Sequence, residues 1–304
     1  MLKPTGSWVA IPTPYDKNGN VDFGGFREVI DHQINHGTSE LFVTGSAGEV
    51  TLLTLEERKS IVKEVIKISS GRIPVFFNSS FSSTDDSVKF AKFIEAEGGD
   101  GAIFTIPPYL LPPQTAVLEH MRACMKAVSI PVGVYNNPTR LGVNLDPQTI
   151  ETLANEVPNF IVDKEAMPNV SQLVEVKRRL GDRINILCCD YPKYSIVIPT
   201  LALGGNGTAN IGGNIIPEEI ALISRPWDTM DKMEECRKLY LHYYPLLQAL
   251  YWFSNPIVIK AAQRILGLPA GGIRRPYPEL EGPKLEELRM IMSDLGVIQK
   301  YGRR

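Results

Sequence analysis

The sequence predicts an α/β fold, a (β/α)8 (TIM) barrel with a helical extension at its C-terminal end, and three observations carry this. Short apolar runs alternate with amphipathic helical segments, and eight such pairs follow one another between residues 7 and 223. The runs show little polar alternation, as strands covered on both faces should. The turn after the first run is Thr13-Pro14-Tyr15-Asp16, not the glycine-rich turn of an open dinucleotide-binding sheet. Strand–helix units in series give parallel strands, and eight of them close into a barrel.

The first strand lies within Ser7 to Pro14 and is ended by prolines, and Asp16-Lys17-Asn18-Gly19-Asn20 is a turn. Phe23 to His36 reads as a helix closed by Gly37. Leu41-Phe42-Val43-Thr44 is the second strand and runs directly into Gly45-Ser46-Ala47-Gly48-Glu49. Helix Leu55 to Ser70, strand Pro74 to Asn78 and helix Asp85 to Glu97 follow. Strand Ala102 to Ile106 leads through a proline-rich loop, Pro107 to Pro113, into helix Gln114 to Val128. The fifth strand, Val132 to Asn136, enters Asn137-Pro138-Thr139-Arg140 and then helix Pro147 to Glu156. The sixth is Phe160-Ile161-Val162-Asp163-Lys164, and Met167-Pro168-Asn169 breaks the run before helix Val170 to Leu180. Ile184 to Leu187 is the seventh strand, with a helical segment from Tyr194 to Leu203. Gly207 to Ile211 is the eighth, before the short helix Pro217 to Ile223. After Arg225-Pro226-Trp227 the strands stop, and Asp228 to Leu250, Asn255 to Leu266 and Pro283 to Leu295 read as helices. The expected division is therefore a barrel over residues 1–225 and a helical extension over 226–304.

Composition narrows the function classes. A length of 304 residues suits one such barrel with an addition, and 43% hydrophobic residues supply a large core. Thirty-two Lys and Arg against 34 Asp and Glu give a formal charge of −2 with no basic block, which argues against nucleic acid or anionic membrane as partner. No apolar run reaches membrane-span length and the N-terminal residues do not read as a signal peptide. The four cysteines form no CxxC or Cys/His metal spacing. We expect reduced thiols, a cytoplasmic protein, and neither metal nor cofactor. His32 and His36 sit four apart, but on a helix of the outer ring with no carboxylate pattern joining them.

In such barrels the active site lies at the C-terminal ends of the strands. Those ends bring together Ser46, Ala47 and Glu49 from the second unit, Tyr109 from the fourth, and Tyr135, Asn136 and Arg140 from the fifth. Lys164 and Glu165 come from the sixth, Asp190 from the seventh, and Asn210 to Gly213 from the eighth. Alternation along the sixth strand puts Phe160, Val162 and Lys164 on one side. Asp163 falls on the other and should face the helices as a structural residue. A lysine at the end of an apolar strand either snorkels into water or is buried, where loss of solvation lowers its pKa from about 10.4. A neutral, oriented amine attacks a ketone to form a Schiff base. One such amine, a tyrosine hydroxyl, a guanidinium and a glycine-flanked turn with free N–H groups are the parts needed to hold a 2-oxo acid as an imine. Structural readings stand beside these: Tyr135 as core, Arg140 in a surface ion pair, Glu49 shaping its loop, and Cys188-Cys189 as buried bystanders. Gly212-Gly213 could hold a phosphate, but no Lys or Arg follows until Arg225, which disfavours a phosphorylated substrate.

With these residues in place the chain resembles the dihydrodipicolinate synthase/N-acetylneuraminate lyase family of Schiff-base aldolases and lyases. The resemblance rests on Gly45-Ser46-Ala47-Gly48-Glu49, Tyr135-Asn136-Asn137-Pro138-Thr139-Arg140, Lys164-Glu165-Ala166 and Ala202-Leu203-Gly204-Gly205-Asn206-Gly207. Asn255-Pro256-Ile257-Val258-Ile259-Lys260 and Leu268-Pro269-Ala270-Gly271-Gly272 extend it through nearly the whole length. It implies that Lys164 forms the imine with pyruvate or a pyruvate-derived 2-oxo acid and that Tyr135 is the general acid/base. It also implies that the N–H groups of Ser46 and Ala47 bind the carboxylate, that Arg140 holds a second acidic group, and that backbone near Ala209 and Asn210 floors the pocket. Tyr109 would border the substrate, and a homo-oligomer, commonly a tetramer of tight dimers, is implied.

Two positions depart from the family pattern, Ala47 where its glycine motif has a second threonine and Leu110 where a second tyrosine stands. Neither side chain passes a proton, so the sequence alone leads us to expect weak dihydrodipicolinate synthesis. Three readings stay open: a carbon–carbon lyase or aldolase, a 2-oxo sugar-acid dehydratase of the 5-dehydro-4-deoxyglucarate type using the same imine, and a non-catalytic barrel that binds a 2-oxo acid. Lys164 and Tyr135 together speak against the last, since binding alone needs neither.

Overall fold

The apolar runs become strands because each is covered on both faces. Described over residues 2–190 and 194–303 in a computed structural model, they close into a parallel barrel in sequence order. The strands are β1 (Gly6–Ala10), β2 (Glu40–Val43), β3 (Val75–Asn78), β4 (Gly101–Thr105), β5 (Val132–Asn136), β6 (Phe160–Glu165), β7 (Asn185–Cys189) and β8 (Gly207–Asn210). Closure comes from β1 pairing with β8, with Trp8 opposite Ala209. Around them lie α1 (Phe23–Asn35), α2 (Leu55–Ser69), α3 (Thr84–Ala96), α4 (Gln114–Lys126), α5 (Pro138–Leu141), α6 (Pro147–Glu156), α7 (Val170–Leu180), α8 (Val197–Ala202) and α9 (Pro217–Ile223). The chain then runs through α10 (Met230–Ala249), α11 (Ile257–Ile265), α12 (Gly282–Asp294) and α13 (Val297–Tyr301). None of the described helices is long and apolar enough to cross a membrane.

Most predicted elements fall within a residue or two of the observed ones. The seventh strand runs on through Cys188 and Cys189 instead of stopping at Leu187, because both thiols are buried and serve as small apolar residues in the ladder. The segment from Tyr194 is helical only over Val197–Ala202, and α5 and α13 are additional short helices. The C-terminal helices share the barrel's core: Leu246, Leu250, Ile259 and Leu266 are buried in the same apolar cluster as the strands.

Inside the barrel, Trp8 packs on Phe42 and Phe76 with ring centroids 5.4 and 5.3 Å apart. The register of β5 on β6 depends on Gly133. A Cβ there would lie 2.7 Å from the Val162 carbonyl oxygen, so only glycine lets the strands approach at the irregularity between Val132 and Gly133. Beyond it, Tyr135 stands opposite Lys164 and Asn136 opposite Glu165.

Lys164 points inward, so Asp163 and Glu165 point to the helical layer, as alternation requires. Glu165 accepts hydrogen bonds from Asn136 Nδ2 (3.0 Å), Gln172 Nε2 (3.0 Å) and the Met167 N–H (2.7 Å). Asp163 is fully buried and neither of its oxygens has a hydrogen-bond partner. Burial and the neighbouring Glu165 hold its pKa well above the usual carboxylate range, and burial lifts Glu165 to about 7. Donors favour the charged form of Glu165, so Asp163 is the neutral member.

Folded-state pKa values above the unfolded ones mean that both carboxyls contribute stability fully present only below about pH 4. That contribution is lost as pH rises through about 7 and above. Asp163→Val should therefore raise stability at pH 8 by about 1–3 kcal/mol and flatten its decline between pH 5 and 9. Urea unfolding at several pH values checks this, and a less stable variant with an unchanged pH slope would contradict it.

Candidate active site

The turn after β2 is built by two non-glycine residues in left-handed backbone, Thr44 (φ 56°) and Glu49 (φ 57°). Such conformations persist where surrounding contacts over-determine them. Here Glu49 forms an ion pair with Lys260 of α11 at 2.6 Å, both side chains being fully buried. Glu49 also accepts from the Arg274 backbone N–H (3.1 Å), and Thr13 Oγ1 donates to the Gly48 carbonyl (2.7 Å). Lys260 donates to the Gly272 carbonyl (2.8 Å) and lies 4.1 Å from the Tyr15 ring centroid. Burial pulls its pKa down to about 8 against the upward pull of Glu49. Arg274 stacks on the same ring and pairs with Glu57, which also caps α2 through the Thr54 N–H (2.8 Å).

Across the barrel mouth, the Lys164 amine packs 4.2 Å from the Tyr135 ring centroid and 4.5 Å from that of Phe42. The residue is 3% exposed, and burial lowers its pKa below lysine's ordinary value, with Cys189 and Asp190 opposing and Arg140 assisting. The Tyr135 hydroxyl accepts a hydrogen bond from Asn137 Nδ2 (2.7 Å) and contacts Cys189 Sγ (3.4 Å). Burial holds that phenol protonated, its pKa well above 10. Cys189 Sγ lies 3.6 Å from Asp190 Oδ1. Asp190 is held by the Tyr251 hydroxyl (2.5 Å) and the Ile211 N–H (2.5 Å).

A cavity of about 480 Å³ opens over these residues, with Ser46, Tyr135 and Arg140 in its wall. Lys164 is not among the wall residues, but its amine packs against two rings that are, Phe42 and Tyr135. The other predicted residues are placed differently. Ala47 is fully buried and is not among the wall residues, whereas Ser46 is, so the side of the turn that meets the cavity keeps a hydroxyl. Ala209 and Asn210 are buried outside the wall, and the Asn210 side chain is committed to Ser7 (3.1 Å), Thr208 (3.0 Å) and the Gly213 N–H (2.9 Å). Tyr109 is 94% exposed with φ 72°, turned away from the cavity, and Leu110 beside it is 60% exposed. Neither is among the residues that line the cavity, although Pro108 beside them is.

Sequence reading missed the contact of Cys189 with Tyr135, the part played by Tyr251, and a second guanidinium in the wall. Arg58 is buried, donates to the Asn78 (2.9 Å) and Ser80 (3.3 Å) carbonyls, and stacks between Phe81 and Phe90. Its cue was a lone arginine in the first turn of an otherwise ordinary amphipathic helix, which is no distinctive signal. The Asn255 to Lys260 segment did carry a signal, but not the identity of the lysine's partner.

Residues 3–295 match the family described as the dihydrodipicolinate synthetase family. The 4-hydroxy-tetrahydrodipicolinate synthase of Methanocaldococcus jannaschii is 32% identical over 293 residues, covering 96% of this chain and 99% of that one. Among solved structures, dihydrodipicolinate synthase from Aquifex aeolicus superposes with a TM-score of 0.92 at 28% identity, covering 97% and 99% of the two chains. The chloride-inhibited synthase of Acinetobacter baumannii, complexed with pyruvate, gives 0.89 at 30% identity, covering 96% and 99%. With its barrel, its extension and nearly all of its length inside that match, the chain belongs to the dihydrodipicolinate synthetase family and is a lyase.

Proposed function

We propose that the protein binds pyruvate, or a 2-oxo acid derived from it, as a Schiff base on Lys164 and makes or breaks a carbon–carbon bond beside that imine. The observation that carries this reading is the desolvated Lys164 amine packed against the Tyr135 ring. A neutral amine adds to the 2-oxo carbon, and the Tyr135 hydroxyl supplies the proton that lets the carbinolamine oxygen leave as water. The same oxygen then takes a proton from C3 to give the enamine that reacts with an electrophile. Backbone N–H groups at Ser46 and Ala47 suit the carboxylate, and Arg140 suits a second anionic group by a bidentate contact. Pyruvate in the Acinetobacter baumannii relative supports the substrate class. A homo-oligomer fits as well: Tyr109, Leu110 and Leu111 form an exposed apolar tip that a second copy would cover. The four free, buried cysteines suit a reducing cytoplasm.

The dehydratase reading drew on Ala47 and Leu110. Membership of the dihydrodipicolinate synthetase family and the Arg140 guanidinium in the cavity wall favour the carbon–carbon lyase.

Borohydride with pyruvate should leave a reduced adduct on Lys164, located by peptide mass, and Lys164→Ala should lose both adduct and turnover. An adduct on another lysine would end this reading. Tyr135→Phe should still trap some imine while kcat falls roughly 10²–10⁴-fold. A change of only a few-fold would assign the proton to another group. Steady-state kinetics on pyruvate with aspartate semialdehyde, and separately on 5-dehydro-4-deoxyglucarate, should give the larger kcat/KM for the condensation. A larger value for dehydration would make the second reading the correct one.

A further inference from the structure

A buried tyrosine that gives up its proton is left as a phenolate, which burial penalises, unless a neighbour hands it another until the substrate returns one. Among the described residues the Tyr135 hydroxyl has two side-chain partners, Asn137 and Cys189. The Asn137 contact runs through its amide nitrogen, which donates and has no acceptor capacity to take the phenol's proton. Cys189 differs, because a thiol both accepts and donates. Its sulfur bridges the phenol and the Asp190 carboxylate, at 3.4 and 3.6 Å. Asp190 is 1% exposed and engages no Lys or Arg at ion-pair distance among the described residues. Instead it is held by two neutral donors, the Tyr251 hydroxyl and the Ile211 N–H, on separate oxygens. A carboxyl so placed is stable in either protonation state, charged by its two donors or neutral by its burial.

Resting on the Schiff-base reading above, we propose that Cys189 and Asp190 form the proton route that serves Tyr135, with Asp190 as the reservoir. Neither touches the substrate, and both act through the Tyr135 hydroxyl. The chain of three groups has two polarities. In the first, the Asp190 carboxyl donates to Sγ, the thiol donates to the Tyr135 oxygen, and the phenol donates to the carbinolamine oxygen. As that oxygen leaves as water, each proton moves one place, and Asp190 ends as a carboxylate stabilised by Tyr251 and Ile211. Removal of a C3 proton from the iminium then drives the three transfers backwards and returns the proton to Asp190. Ketone plus amine becomes enamine plus water, with one proton lent and one returned. No redox change occurs at sulfur. The route needs no hydroxyl at position 47 or 110, the two places where the chain lacks one.

The charged and titratable groups facing this chain are Lys164 from β6, Arg140 from α5, Tyr194 ahead of α8 and Tyr251 after α10. A pH profile alone would mix their titrations, so the test reads proton transfer at carbon directly. Exchange of the pyruvate C3 protons in D2O, followed by NMR, reports enamine formation, while borohydride trapping reports the imine. In Cys189→Ala, trapping on Lys164 should persist and KM for pyruvate should stay within about threefold, while C3 exchange falls roughly 10²-fold. Cys189→Ser, which keeps a group that both donates and accepts, should recover exchange to within about tenfold of the parent. Asp190→Asn keeps the shape and removes the reservoir, and its exchange should fall as in Cys189→Ala. Exchange within about threefold of the parent in Cys189→Ala, or equal loss in the serine and alanine variants, would overturn the route. Should Cys189→Ala fail to fold by circular dichroism, undiminished exchange in folded Asp190→Asn would overturn it equally. A parent enzyme that traps no adduct on Lys164 would instead overturn the Schiff-base reading itself, and the two failures are thereby separable.

Discussion

Burial of the side chains around the mouth of this barrel governs how their ionisable groups behave. Strands covered on both faces leave no solvent to share a charge, so each ionisable side chain is paired, neutral or held by fixed dipoles. Glu49 and Lys260 take the first course, with no exposed surface on either side chain. Asp163 takes the second, its oxygens without a donor. Asp190 takes the third, between a phenol and a backbone N–H. Lys164 has no carboxylate at ion-pair distance among the described residues and faces two aromatic rings. Its ammonium is therefore the form that burial penalises.

The Glu49–Lys260 pair also makes the C-terminal helices part of the site. The turn carrying Ser46 sits in a backbone conformation costly for non-glycine residues, of order 1–3 kcal/mol at each such position. Lys260 and Arg274, both beyond the last strand, supply the contacts that hold it there. Removing one partner of so buried a pair typically costs 3–5 kcal/mol, because the other charge is stranded. The extension thus holds the turn in the cavity wall and adds Tyr277 to that wall.

Tyr135 and Lys164 meet for a reason just as local. Gly133 allows β5 and β6 to close up where the register shifts, and two residues later the phenol stands level with the amine. A side chain at that glycine would push the strands apart and separate the two groups, although neither is near it in the cavity.

The periodicity of apolar runs was enough to determine eight strand–helix units, their parallel order and the inward face of β6, because these depend on spacing along one segment. Lys164, Tyr135, Arg140 and the 45–49 turn were legible for the same reason: each lies at or shortly after a strand's C-terminal end, and strand ends meet at one face of a closed barrel. Tertiary structure alone decided what those residues touch. Glu49 and Lys260 are more than two hundred residues apart, as are Glu49 and Arg274, and no local pattern pairs them. Cys189 meets Tyr135 because β7 extends two residues past its last aliphatic side chain, which brings its thiol within 3.4 Å of the phenol on β5. Tyr109 is exposed in a loop with left-handed backbone at Tyr109 and Leu111, a conformation its proline-rich sequence does not encode. Spacing specifies which face a residue is on, whereas the partner across that face depends on how far each strand and loop extends in three dimensions.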